Sequence, residues 1–255
     1  ISEDEVTQIN NVAAATTGVV TATISGDHDT QSGLSTAGTD ALTITISDAI
    51  TTDEFAALDA KTSGSITLTS GLSDTAAKMA PAGTKSANFN AAVAAPNTGI
   101  AITITGTDAT VAEINAIAGA TSGVVTATVE AGNYAAQNSL TTDNNDIISV
   151  TVNDEITVTQ FDTLDGKTGG DITVSGGVSG TAAEFASTAG VATASLTALN
   201  AQNTNFAVTT SDATNIAQYD AINGKNGNGS ITVASIADTA ANCNPSGAIH
   251  GLFTA

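Results

Sequence analysis

The 255-residue chain has no arginine and no tryptophan, a single cysteine, a single methionine and three prolines. Five lysines face 25 acidic residues, for a formal net charge of −20 at pH 7. Binding a nucleic acid requires clustered cations to neutralise phosphates, so that partner is excluded. Attraction to an anionic membrane surface is opposed by the same balance. An acidic, lysine-poor surface stays soluble in salt and tolerates divalent cations, which fits an exported protein in saline water. With Cys243 alone there is no intrachain disulfide and no thiolate metal cluster. No apolar run is long enough to span a bilayer and no signal peptide is recognisable, so membrane insertion is not expected. The chain opens on Ile1 rather than Met, which reads as a processed protein or an excerpt of a longer one. Aromatic residues are only 3% of the chain. Its core must therefore be thin and layered, built from Ala, Val and Ile.

What is present is repetition. Phe55 stands three residues before Leu58 and nine before Gly64, and the pattern recurs at Ile9/Val12/Gly18, Ile114/Ile117/Gly123 and Phe161/Leu164/Gly170. It returns with one inserted residue at Tyr219/Ile222. The five anchors lie 46, 59, 47 and 58 residues apart, so a short and a long unit make a super-repeat of about 105 residues. Units of this size bury their apolar faces against one another.

Each unit opens on apolar residues at helical spacing, as in Val6/Ile9/Val12, Val111/Ile114/Ile117, Val158/Phe161/Leu164 and Ile216/Tyr219/Ile222. Thr51…Glu54, Thr110…Glu113 and Thr157…Gln160 are capping boxes, Asn215…Gln218 is a variant, and the first unit offers only Glu5…Gln8. Lys61, Lys167 and Lys225 sit in register where these helices stop, placed to complement the dipole. A strand with period-two alternation follows every helix: Val19-Val-Thr-Ala-Thr-Ile, Ser65-Ile-Thr-Leu-Thr, Val124-Val-Thr-Ala-Thr-Val, Asp171-Ile-Thr-Val-Ser and Ser230-Ile-Thr-Val. A second strand precedes the next helix, beginning at Leu42, Ile100, Ile148 and Phe206. Strand, short helix, strand predicts right-handed parallel crossovers. The long units carry Ala-rich stretches, 75–95 and 181–201, that read as a second helical crossover. The short units replace it with loops near Asp27-His-Asp and Thr142-Asp-Asn-Asn-Asp. Cys243 aligns with Met79 and Phe185 in Thr239-Ala-Ala-Asn-Cys, Thr75-Ala-Ala-Lys-Met and Thr181-Ala-Ala-Glu-Phe, so it reads as a packing position rather than a reactive thiol.

The expected fold is therefore α/β: an elongated repeat solenoid of parallel strands with short helices, five units in alternating long and short form. We treat 1–255 as a single repeat rod with units of approximately 1–47, 48–106, 107–153, 154–211 and 212–255. Neither the start at Ile1 nor the end at Gly251-Leu-Phe-Thr-Ala supplies an obvious polar cap.

Catalytic patterns are missing. His28 and His250 occupy non-equivalent positions outside any nucleophile, metal or acid–base motif. His28, between Asp27 and Asp29, reads as a loop residue, and Asn226-Gly-Asn-Gly as a turn rather than a phosphate loop. No cofactor is implied. Calcium is the one cation with candidate ligands: Asp48, Asp108, Asp154 and Asp212 recur where the second strand turns into a helix, with Asp143 and Asp146 in a polar loop. Aspartate at such a turn also satisfies free backbone amides by itself. The Thr-x-Thr pairs, such as Thr21/Thr23 and Thr103/Thr105, resemble the arrays of ice-binding solenoids, but Thr is favoured on the less buried face of any strand.

Ala109-Thr-Val-Ala-Glu-Ile-Asn-Ala-Ile, Ser122-Gly-Val-Val-Thr-Ala-Thr-Val and Ile231-Thr-Val-Ala-Ser-Ile-Ala-Asp-Thr-Ala-Ala-Asn resemble the tandem β-strand repeats of very large secreted surface proteins of marine bacteria, cyanobacteria included, and related adhesins. The resemblance covers nearly the whole chain and is one of repeat style. It implies an extracellular or cell-surface role as filament, fibre, surface layer or adhesin, with no active site to carry over. The expectation is a non-enzymatic structural protein that self-associates end to end. An adhesin segment binding surface glycans is the alternative, and a phage fibre a further one.

Overall fold

The computed structural model describes residues 2–245, 250 and 252. The expectation of uncapped ends rests on Ile1 and on 251–255, of which only Leu252 is described. The chain forms two compact units, one of Ile1–Glu130 with Leu140–Ile148 and one of Ala131–Ser139 with Ser149–Ala255. Its strands form three all-parallel sheets.

In the first unit, α1 (Glu3–Ala15), β1 (Thr21–Gly26), α2 (His28–Ser32), β2 (Ala41–Ile46), α3 (Thr52–Asp59) and β3 (Ile66–Leu68) come first. They are followed by β4 (Leu72–Thr75), α4 (Ala76–Met79), a single 3₁₀ turn at Pro81–Gly83, α5 (Ala87–Ala92), β5 (Ile102–Thr105), α6 (Val111–Ala118) and β6 (Val125–Thr128). Strands β1, β2 and β3 pair in that order, as do β4, β5 and β6. The chain continues through α7 (Tyr134–Gln137), β7 (Ile147–Val152), β8 (Ile156–Thr157), α8 (Val158–Asp165), β9 (Ile172–Val174) and β10 (Val178–Gly180). It then forms α9 (Ala182–Phe185), α10 (Ala194–Gln202), β11 (Val208–Thr214), α11 (Ile216–Asn223), β12 (Ile231–Ile236) and α12 (Ala240–Cys243). In the second unit β7 pairs with β9, and β8, β10, β11 and β12 follow one another in one sheet.

The expected helix starts are in place. Thr51/Glu54, Thr110/Glu113, Thr157/Gln160 and Asn215/Gln218 each form a reciprocal capping box. The first helix corrects the reading of Glu5…Gln8: its cap is Ser2, with Glu5 at the third helical position, a full box one turn earlier. Thr181/Glu184 adds another. The stretch near Asp27-His-Asp is helical rather than a loop, because the Asp27 carboxylate accepts the amide of Thr30 and starts α2. The other short unit likewise gains a one-turn helix, α7, capped by Asn133. Lys61 does not serve its own helix: it follows the C-cap of α3, and its ammonium donates to the Ser32 carbonyl at 2.6 Å, at the end of α2. Strands β4, β8 and β10 each carry a single large apolar residue, Leu72, Ile156 and Val178, so sequence periodicity misses them.

Register explains the alternation. Ile24, Ile44 and Ile66 share one rung, and Ile156, Val178, Val208 and Ile231 another. Between such rungs lie hydroxyl pairs: Thr23 beside Thr43, Thr45 beside Thr67, Thr103 beside Thr126, Thr151 beside Thr173. Apolar rungs face inward, where Leu42, Ile44, Ile46, Ile102, Ile148 and Ile172 are almost entirely removed from water, each contributing on the order of 1.5–3 kcal/mol. Phe55, Leu58, Ile114, Ile117, Phe161 and Leu164 close the core from the helix side. The recurrent glycine has a steric cause: a Cβ on Gly64 would stand 2.1 Å from the Leu42 carbonyl oxygen, and one on Gly123 2.2 Å from that of Ile100.

Candidate functional site

The strand-to-helix aspartates are occupied by the fold. Asp48 Oδ1 accepts the amide of His28 at 2.8 Å, Asp154 Oδ1 that of Tyr134 at 2.8 Å, and Asp212 Oδ1 that of Ala182 at 2.6 Å. Each donor is the first residue of a helix, α2, α7 and α9 respectively. An N-cap side chain serves the third amide of a helix and leaves the first one bare. Here a carboxylate from 20 to 30 residues further along supplies the missing acceptor. Asp108 departs from the pattern: it is exposed, and the N-cap residue of α4, Thr75, makes no side-chain cap bond. The four calcium candidates thus lie at separate turns. Among the described residues no group of three or more His, Cys, Asp or Glu side chains is placed to hold a metal ion.

Two members of this set escape the sequence reading. Asp74 Oδ2 accepts both the amide and the hydroxyl of Thr52, at 3.1 and 2.7 Å, at the start of α3. Asp238 Oδ2 accepts the amide of Ile216 at 2.9 Å, at the start of α11. Their signal was the recurring quartet Asp74-Thr-Ala-Ala and Asp238-Thr-Ala-Ala. Acceptance of the Ile216 amide, with Asn242 and the Thr239 amide adding to it, holds the Asp238 carboxyl below its ordinary value. Asparagines do comparable work: Asn97 and Asn203 each bridge one strand's amide and carbonyl, Leu68 and Ile66 for the first, Val174 and Ile172 for the second.

His28 is on a helix, with only 13% of its side chain exposed; its Nδ1 lies 3.7 Å from Glu54 Oε1 and 3.9 Å from Asp29 Oδ1. Glu54 divides its oxygens, since Oε2 closes the capping box on Thr51. The Thr51 amide chiefly, then the Thr51 hydroxyl and nearby His28, outweigh burial and keep the Glu54 carboxyl below its ordinary value. His250 Nε2 meets Asp220 Oδ1 at 3.1 Å, and its ring stands edge-on to Tyr219. Cys243 is half-buried, whereas Met79 and Phe185 at the aligned positions are fully buried. On the surface, the Lys78 ammonium lies 2.5 Å from Asp53 Oδ2. That hydrogen bond lowers the Asp53 carboxyl and raises the Lys78 ammonium.

Open hollows indent the surface of the described residues, and three are lined as follows. In the first unit, one of about 300 Å³ is lined by Asn10, Thr16, Gly18, Ser35 and Asp40, and one of about 270 Å³ by Thr121, Gly123, Thr141, Asp143 and Asp146. They are the same place in two short units, and their polar groups already hold the backbone. Asn10 bridges the Gly33 carbonyl and the Ser35 amide, Asn115 accepts the Thr141 amide, and Asp40 and Asp146 accept the amides of Val20 and Val125. In the second unit, an open hollow of about 370 Å³ lies between Thr173, Gln202, Asn203 and Asn205. No His, Cys or Lys lines any of the three. No helix among the described residues is long and apolar enough to cross a membrane. Comparison with protein-family models, with curated proteins and with solved structures finds no match.

Proposed function

We propose that this chain is a structural repeat protein of an extracellular filament, fibre or surface layer. In this reading its units stack as a solenoid and its copies associate end to end. The carrying observation is a contrast between equivalent helices. Ile114 and Ile117 on α6 are 0% exposed, whereas their counterparts on α1 are open, Ile9 half-buried and Val12 54% exposed. A repeat helix carries an apolar stripe so that a neighbouring repeat can cover it. Strand β12 repeats the contrast: Ile231, Val233 and Ile236 are half-buried where Ile172 and Val174 of β9 are buried. Both β1 and β12 are edges of their sheets, and an edge strand is a template on which a further chain can pair. Head-to-tail contact between two unlike faces propagates into an open filament wherever its rotation does not close a ring. The acidic, arginine-free composition supports the saline, extracellular setting.

Electron microscopy of the purified chain, with calcium and with chelator, tests this. Regular filaments are expected, and Val12→Asp is expected to abolish them while leaving the circular dichroism spectrum unchanged. Uniform single particles at all concentrations would overturn self-assembly. Loss of filaments in chelator alone would add a calcium requirement.

A further inference from the structure

The turn Asn226-Gly-Asn-Gly leads into β12. Asn226 is fully buried, its carboxamide donating to the carbonyls of Gly229 and Phe206, and Gly227 takes a φ of +63°. The next residue behaves differently. The Asn228 amide is held by Asn205 Oδ1 at 2.7 Å, but its side chain is exposed and forms no hydrogen bond among the described residues. The equivalent residues of other units, Ser63 and Ser122, turn their hydroxyls back onto the carbonyls of Asp40 and Thr98. The fifth unit thus replaces a side chain the fold employs with a longer carboxamide that the fold leaves free.

Asn228-Gly229-Ser230 is also an Asn-x-Ser triplet, and no other Asn of the chain begins an Asn-x-Ser/Thr triplet except Asn244, where Pro245 blocks it. Ser230 is exposed as well. We propose that Asn228 is an acceptor for an N-linked glycan, an inference that rests on the extracellular reading above. The transfer forms a bond between Asn228 Nδ2 and the anomeric carbon of a lipid-pyrophosphate-linked oligosaccharide. The bond from that carbon to pyrophosphate breaks, the lipid pyrophosphate leaves, and one amide proton passes to a base of the transferase. The glycan would project from a turn into water and displace no contact of the fold.

The test is mass spectrometry of the protein recovered from its native cells, after separating medium and surface from cell interior. Cleavage after Lys225 releases the segment that carries Asn228. A saccharide on Asn228, lost in Asn228→Gln and in Ser230→Ala and retained in Ser230→Thr, is the expected result. Protein found outside the cell with Asn228 unmodified overturns the glycan and spares the extracellular reading. Protein confined to the interior overturns both.

Discussion

The carboxylate of Asp74 holds Thr52 twice, through its amide at 3.1 Å and its hydroxyl at 2.7 Å. Thr52 opens α3, and Asp74 lies 22 residues later, within β4. The same relation joins Asp48 to His28, Asp154 to Tyr134, Asp212 to Ala182 and Asp238 to Ile216. A local cap covers the third amide of each helix, and the next pass of the chain covers the first. Short helices that would be marginal alone are thereby stitched to their successors.

Asp74 is 9% exposed, so removing it leaves a buried amide and hydroxyl without an acceptor. Asp74→Ala should lower unfolding stability by about 2–3 kcal/mol, read from urea titration followed by circular dichroism. Thr52→Ala should lose less, since the amide bond survives. Equal losses from the two variants would contradict this division.

Asp48, Asp154 and Asp212 spend an oxygen on a backbone amide. Asp48→Ala should therefore cost about 1 kcal/mol whether calcium or chelator is present. A thermal midpoint that rises with calcium in the parent chain and not in Asp48→Ala would instead establish a cation at that turn.

Gly64→Ala would drive a Cβ to 2.1 Å from the Leu42 oxygen, a backbone atom that cannot step aside. A loss of about 1–3 kcal/mol or more is expected in equilibrium unfolding. Gly166, at the end of α8 with φ −70° and nothing nearer than 3.6 Å to an added Cβ, should accept alanine with no loss, or a gain of about 0.4–1 kcal/mol.

Acid should loosen the caps. The Thr30 amide chiefly lowers the Asp27 carboxyl, the Thr51 amide that of Glu54 and the Ile216 amide that of Asp238, from ordinary values of 3.8, 4.5 and 3.8. On descending pH the unfolded chain takes up these protons first, so the stability they provide is complete above those values and is lost as pH falls through the lower folded ones. Urea midpoints should stay level from neutrality to about pH 5 and then decline. A midpoint that rises on acidification below that range would contradict the assignment.

The sequence by itself determined the parts that depend on neighbours a few residues away. Helix starts followed from Thr–x–x–Glu spacing, strands from alternation, and the parallel sense from a helix inserted between strands. The five repeat anchors named residues such as Leu58, Ile117 and Leu164 that the core does bury. Tertiary structure alone decided which distant side chain serves which helix or strand. Asp74 and Thr52 are 22 residues apart, Asn97 and Leu68 are 29 apart, and Lys61 reaches Ser32 across 29. No local pattern encodes such partners, because hydrogen bonds between distant segments depend on the strand register, and register is set by packing the whole apolar rung. The openness of Val12 beside the closure of Ile117 has the same origin: similar apolar residues at equivalent repeat positions, 54% exposed in one case and fully buried in the other.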